Sequence, residues 1–231
     1  MRSRLIVAID GPAGAGKTTV TRRVAEELGY TLVDTGALYR TVALAAERDG
    51  IAWDDPARLG VLAQELAVRS RIRLDGQQVW LDGADVTLAI RMPAISQGAS
   101  KVSSFGEVRR ALLELQRELG REGGVVLEGR DIGTVVFPEA EAKFFLTASS
   151  DVRARRRYDE LKARGVDADL DEVRREVMAR DQRDTERNVA PLRQAENAEL
   201  VDSSELGVEE VVDRIVARVR KLESAAERPR A

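Results

Sequence analysis

Residues 5–18 read LIVAIDGPAGAGKT, and the fold is decided by how that run divides. Leu5, Ile6, Val7, Ala8 and Ile9 form a short, apolar, β-branched run, the pattern of a strand buried on both faces. Residues 11–18, GPAGAGKT, match the phosphate-binding pattern G-x-x-x-x-G-K-[ST]. Beyond them Val20, Val24, Ala25 and Leu28 recur at helical spacing, and Gly29 stands where the helix stops. The loop therefore sits between a strand and a helix. Its backbone N–H groups, with the helix N-terminus behind them, make a concave anion site. Glycine lets the main chain close around phosphate without a Cβ clash. Gly11, Pro12, Ala13, Gly14, Ala15, Gly16, Lys17, Thr18 and Thr19 are the predicted nucleotide-binding residues. Lys17 is placed to reach the β- and γ-phosphates, and the Thr18 hydroxyl to hold Mg²⁺. The ligand implied is ATP or a similar nucleoside triphosphate.

Composition narrows the chemistry. The 231 residues, 43% hydrophobic and 33% charged, suit one soluble domain spanning 1–231 with small insertions. A formal net charge of −3 gives no global basic field for nucleic acid. Cysteine is absent, which removes disulfides, thiolate zinc sites and cysteine nucleophiles. Histidine is absent too, so imidazole bases and Ser-His-Asp relays are impossible. Lysine, arginine, carboxylates, hydroxyls, backbone and bound ions remain. Phosphoryl transfer fits this inventory, because it depends on positioning and electrostatics more than on a titrating base. Arg2 and Arg4 precede an apolar run that Asp10 interrupts, too short for a secretory signal. No run approaches ~18 apolar residues, so neither a membrane span nor a membrane partner is expected, and a cytoplasmic enzyme is.

Five strand-like segments stand out, at 5–9, 31–33, 125–127, 142–146 and 199–201, most of them separated by long helical patterns. That alternation predicts an α/β fold, a parallel sheet with helices on both faces and ligand-binding loops along one edge. Two regions break the alternation. RIRLDGQQVWL at 71–81 alternates with period two on each side of Asp75-Gly76, a β-hairpin, with 86–90 as its extension. This predicts a small antiparallel sheet inserted at about 69–90. The second region, 151–165, is a basic helix carrying Arg153, Arg155, Arg156, Arg157, Lys162 and Arg164. The last eight residues, 224–231, lack periodicity and are expected to fray.

Four further segments specialise the phosphate loop: DTGALYR at 34–40, SKVSSFGEVR at 100–109, GRDIGTVVFP at 129–138, and RDQRDTER at 180–187 with Ala190-Pro191-Leu192 just beyond. Taken in order with the loop, they closely resemble bacterial cytidylate kinases, from about residue 5 to residue 222. The resemblance implies a P-loop nucleoside monophosphate kinase fold. Its parts are a five-stranded parallel sheet, a monophosphate-binding region at 35–110 holding the inserted sheet, and a short helical lid at 151–168. It implies ATP-dependent phosphorylation of CMP and dCMP with Mg²⁺, by a monomer. Members often carry Gly or Ser at the position of Thr18; here a hydroxyl is retained.

By the same resemblance Ser100, Arg109 and Asp131 read the cytosine, and Arg180 and Asp184 hold the ribose. Arg40, Arg130 and Arg187 grip the monophosphate, and Thr35 lines the acceptor site. Lys17, Arg130 and Arg187 are then the catalytic residues. Residue chemistry agrees. Cytosine sets an N4 donor beside an N3 acceptor, so a carboxylate beside a guanidinium complements it. Guanidinium forks suit phosphate oxygens. Arg180, Asp184 and Arg187, spaced i, i+4, i+7, are expected on one helix face. Arg153, Arg156 and Arg157 share a face of the basic helix; a lid over ATP, with Arg156 and Arg157 contacting it, stands beside a solvated face or a weak RNA contact. Asp10 and Glu128 end their strands near the loop, yet neither reads as a clear second Mg²⁺ carboxylate, which leaves Thr18, phosphates and water. A kinase of UMP or shikimate, and a nucleotide-switched binding protein or nucleic-acid-stimulated ATPase, are the rival readings on this scaffold.

Overall fold

The apolar run that opens the sequence is the central strand of the molecule. In the computed structural model, which describes residues 4–227, β1 (Ile6–Asp10) is buried at every position. It lies between β6 (Val125–Gly129) and β7 (Ala142–Thr147), parallel to both. The five-stranded sheet has the order β2 (Thr31–Asp34), β6, β1, β7, β8 (Glu199–Asp202). A strand flanked on both sides in a doubly covered sheet has no solvent face, which is why residues 5–9 do not alternate. All five predicted strands are present, each extended by a residue or two toward the ligand-bearing end.

The chain divides into two compact units, one made of residues up to 31 and from 123 on, the other Leu32–Glu122. In the first, α1 (Lys17–Leu28) ends at Gly29, whose φ of 61° supplies the left-handed stop. It packs on β6 and on α8 (Val208–Glu227). The helices α6 (Ser150–Ala163) and α7 (Leu170–Glu186) start at the side-chain caps of Ser149 and Asp169 and pack through Leu161, Val173 and Val177. In the second unit α2 (Thr35–Arg48), α3 (Pro56–Val68), α4 (Pro93–Val102) and α5 (Gly106–Gly120) surround a core that includes Leu38, Leu59, Leu66 and Leu112. The inserted sheet is β3 (Ile72–Asp75), β4 (Gln78–Leu81) and β5 (Ala84–Asp85), antiparallel, with Gly76 at a φ of 58° in the predicted turn.

Two local expectations are corrected. Residues 86–90 do not extend the hairpin: the third strand is Ala84–Asp85, and a short 3₁₀ turn at Ala89–Arg91 follows. Val86 and Ile90, four apart, are both buried, and the Ile90 N–H donates to the Val86 carbonyl at 2.9 Å. Burying that i, i+4 pair curls the chain into a helical turn instead of a strand. Residues 224–227 belong to α8, where the Ser224 hydroxyl donates to the Arg220 carbonyl at 2.9 Å, while 228–231 lie outside the described residues. Among the described residues no helix is long and apolar enough to cross a membrane.

Candidate active site

The register of the central strands sets the site. Asp10 aligns with Gly129, so the phosphate loop leaves β1 beside the point where Arg130 leaves β6. The loop's close passage over β7 explains Gly11: a Cβ there, at φ 154°, stands 1.9 Å from the Leu146 carbonyl oxygen. No side chain is tolerated at that distance. Inside the loop the buried Lys17 ammonium donates to the carbonyls of Gly11 and Pro12, at 2.8 and 2.6 Å. Burial, then the charge of Arg130, push the Lys17 ammonium well below the ordinary lysine range; Arg180 adds to this, while Glu128 and Asp184 oppose it. Cations gathered this way repel one another, and a phosphate chain relieves the repulsion.

Two carboxylates that sequence reasoning left without a role have definite partners. The Thr18 hydroxyl donates to Glu128, at 2.9 Å to one oxygen and 3.2 Å to the other, and Glu128 is 4% exposed. A hydroxyl and a carboxylate side by side at a phosphate loop are hard oxygen donors of the kind Mg²⁺ takes. The donor set therefore fits the ion beside the phosphates and water expected with Thr18. The signal was the alignment of Ile9 with Glu128, which needs strand order to be seen. Asp10 is equally buried, and its carboxylate accepts the N–H groups of Ile132 and Gly133, both at 2.8 Å. Burial pushes its carboxyl up to about 6 against the pull of those two bonds.

On the turn after β6 and on α7, arginines and carboxylates interleave. Arg130 Nε donates to Asp184 at 2.9 Å. Arg187 stands 3.7 Å from both Asp131 and Asp184, and its Nε donates to the Ala190 carbonyl at 2.6 Å. Burial alone raises the Asp184 carboxyl, but Arg130, Arg180 and Arg187 outweigh it and hold the group below the ordinary carboxylate range. The expected single helix face holds for Arg180, Asp184 and Arg187, since Arg187 still donates its N–H to the Arg183 carbonyl at 3.2 Å and faces Asp184 three residues back. Helix α7 ends at Glu186, and Arg187 has extended dihedrals, φ −61° and ψ 140°. The chain then returns so that the Leu192 N–H caps the Asp184 carbonyl at 2.7 Å. Arg187 thus faces the cluster from the C-cap of α7, and its extended ψ only sends the following chain away.

The arginines of α6 have different partners. Arg153 is buried; it donates to the carbonyls of Ala148 and Ala13, at 2.9 and 3.1 Å, and to Asp181 at 2.5 Å. Arg156 donates to the Ser203 hydroxyl and carbonyl at 3.0 and 2.7 Å and reaches the Ala15 carbonyl at 3.4 Å. Arg157 pairs with Glu160 at 2.8 Å and is partly exposed. Thr19 is exposed on the first turn of α1.

In the second unit Thr35 opens α2, buried, after the Asp34 cap, and Arg40 pairs with Asp34. Ser100 is buried on α4. Arg109, buried on α5, lies 5.2 Å from the centre of the Tyr39 ring and donates to the Ser103 carbonyl at 3.1 Å.

The family model described as cytidylate kinase matches residues 7–221. The chain belongs to the cytidylate kinase family. It is 53% identical over 217 residues to a cytidylate kinase of Syntrophotalea carbinolica, covering 94% of this chain and 92% of that one. It is 54% identical over 225 residues to a cytidylate kinase of Geobacter sulfurreducens, covering 97% and 96%. A solved structure of an uncharacterized protein from Eubacterium ventriosum shares the fold at a TM-score of 0.54 and 14% identity, covering 94% of this chain and 99% of that one. Within the cytidylate kinase family frame, what the sequence motifs left out is the scaffolding: Glu128 beside Thr18, Asp10 under the Arg130–Asp131 turn, and Arg153 across the loop.

Proposed function

We infer that this chain is a kinase that moves the γ-phosphoryl group of ATP to CMP and dCMP. The observation that carries the reading is the alignment of Asp10 with Gly129, which starts the phosphate loop and the Arg130–Asp131 turn from neighbouring strand ends. A donor loop and an acceptor-side arginine that begin side by side suit in-line transfer.

The steps follow from the residues. The loop N–H groups and Lys17 hold the β- and γ-phosphates of ATP, with Arg156 and Arg157 adding contacts from the lid at 151–168. Arg130 and Arg187, with Arg40, hold the acceptor phosphate. An oxygen of that phosphate bonds to the γ-phosphorus as the bond to the β–γ bridging oxygen breaks, so CDP or dCDP forms and ADP leaves. The acceptor phosphate is already ionised, so no general base is required, in keeping with a chain that lacks histidine. Lys17 and the guanidiniums stabilise the charge that builds on the moving group, in a site from which water is kept. Thr18 and Glu128 would hold Mg²⁺, which when bound neutralises phosphate charge. Asp131, Arg109 and Ser100 read the cytosine, Arg180 and Asp184 the ribose, and Thr35 lines the acceptor site.

ADP release is followed with ATP and each of CMP, dCMP, UMP, AMP and shikimate. CMP and dCMP are expected to be used efficiently and the other three poorly. Equal use of UMP, or ADP release that needs no acceptor, overturns the reading.

A further inference from the structure

We propose that Asp10 is a positioning residue for the acceptor side: its carboxylate holds the Arg130–Asp131 turn in register with the phosphate loop. The proposal rests on the assignment of Arg130 and Asp131 to the acceptor. One carboxylate oxygen accepts from Ile132 N–H and the other from Gly133 N–H, both at 2.8 Å, so both oxygens are committed to successive backbone groups. The segment held is irregular. Asp131 has φ −150° and ψ 24°, and its carbonyl receives the N–H groups of both Val135 and Val136, at 2.9 and 3.2 Å, in a single π-turn. Such turns persist where tertiary contacts hold them and occur often at functional sites. Here the contact is tight: a Cβ at Gly133 stands 3.4 Å from an Asp10 carboxylate oxygen and 3.2 Å from the Lys143 stem.

Asp10 also directly precedes Gly11, whose carbonyl receives the Lys17 ammonium. One residue therefore spans the origin of the donor loop and the origin of the acceptor turn. A buried carboxylate is a costly way to cap a turn. Lys17 from α1 favours its charge, Asp131 from the turn opposes it, and Lys143 from β7 packs against the same Gly133. What the carboxylate supplies, and an amide cannot, is two equivalent acceptors for adjacent N–H groups. Asp10→Asn keeps the size but turns an amine donor toward one backbone donor.

The test compares Asp10→Asn with wild type and with Arg130→Ala. Asp10→Asn is expected to lower kcat/KM for CMP by ~10- to 100-fold while the KM for ATP stays within about twofold. In ligand-free wild type, the amide resonances of Ile132 and Gly133 and the Arg130 Nε resonance are followed against pH by NMR. All three are expected to move together with a midpoint of about 6, the value to which the Asp10 carboxyl is raised. Ligand-free protein is needed because a phosphate monoester titrates near the same pH, about 6. If Asp10→Asn does not fold, the wild-type titration decides alone. A fixed Arg130 signal while the two amides titrate reduces Asp10 to a structural cap and overturns the proposal, as does an equal loss for ATP and CMP. If Arg130→Ala leaves CMP use intact, the acceptor assignment itself fails. If Arg130→Ala is impaired and Asp10→Asn is not, only the present inference fails.

Discussion

Two groups of arginines flank the phosphate loop's strand ends, and they differ in what they touch. On α6, Arg153 and Arg156 give most of their hydrogen bonds to main-chain carbonyls of Ala13, Ala148, Ala15 and Ser203. Around the end of α7, Arg130 and Arg187 face the carboxylates of Asp184 and Asp131. A guanidinium on a carbonyl fixes backbone and has little reason to leave. A guanidinium sharing a carboxylate with two others can turn part of its fork to a phosphate, whose tetrahedral oxygens accept the same paired N–H bonds and carry more charge. Residue type and burial are alike in both groups, and both mix carbonyl with carboxylate partners; what differs is that Arg130, Arg180 and Arg187 crowd one carboxylate, Asp184.

The strongest challenge to that division comes from the lysine between the two groups. Lys17 gives bonds to two loop carbonyls, as a scaffold cation does, yet burial first and the Arg130 charge second lower its proton affinity, so it is a charge held at a cost. Lys17→Ala is expected to fold and to lose ~10²–10³ in kcat, the usual cost of removing one donor aimed at transition-state charge. Circular dichroism and turnover on one preparation check it. Retention of more than about a tenth of the wild-type rate places Lys17 among the scaffold residues.

Next in size is the direct contrast. Arg130→Ala is expected to cut kcat/KM for CMP about tenfold or more, with ATP binding nearly unchanged. Arg153→Ala strips partners from two carbonyls and from Asp181, so a stability loss of about 2–3 kcal/mol is expected. For a chain of this size that is a drop in Tm of roughly 5–10 °C. Thermal melts and steady-state kinetics on both variants decide. A large melting shift for Arg130→Ala with unchanged CMP use reverses the division.

How far the sequence could reveal this division depends on which structural level carries it. The β1 run, the Asp75-Gly76 turn and the Gly29 stop are local signals, and all are where expected. The grouping of Arg153 with Arg156 and Arg157 on one face of α6 was also local and correct as periodicity. Periodicity cannot say that the face rests on the loop's own carbonyls. Glu128 needed the knowledge that β6 lies beside β1, a non-local pairing more than a hundred residues apart in the chain. Arg187 was legible from helical spacing, since the helical bond pattern of α7 reaches it as the C-cap, but the return of the chain beyond it was not. The residue roles themselves came from motif order, since spacing alone does not distinguish a phosphate arginine from a solvated one.

A smaller effect is expected at the base. Uracil presents O4 and N3–H where cytosine presents an amino donor and N3, so under the proposed base-reading roles it would set acceptor against Asp131 and donor against Arg109. Asp131→Asn is expected to lower CMP use and to narrow the CMP-to-UMP ratio, each unpaired group being worth ~1–3 kcal/mol. Asp131 also faces Arg187, which is proposed to hold the acceptor phosphate, so the ratio and not the absolute rate is the informative quantity. An unmoved kcat/KM ratio in the variant removes Asp131 from base recognition and leaves it as a partner of Arg187.

The smallest effect belongs to Arg157, which divides the two groups within one helix. It lies on α6 beside Arg153 and Arg156 and, as Arg153 does with Asp181, pairs with a carboxylate, Glu160, at 2.8 Å, with 29% of its side chain exposed. Position on the chain predicts a scaffold residue, and partner chemistry predicts one that reaches a phosphate. An exposed i, i+3 pair contributes only ~0.2–0.5 kcal/mol, so Arg157→Ala is expected to leave Tm nearly unmoved. A partly solvated contact to ATP is worth ~1 kcal/mol, so the KM for ATP is expected to rise about fivefold with the KM for CMP unchanged. Arg156→Ala, measured beside it, is expected to lower Tm because its partners are the Ser203 hydroxyl and carbonyl. If Arg157→Ala changes neither constant, a carboxylate partner is not sufficient to mark a ligand-binding arginine, and the rule holds only where several guanidiniums crowd one carboxylate, as they do at Asp184.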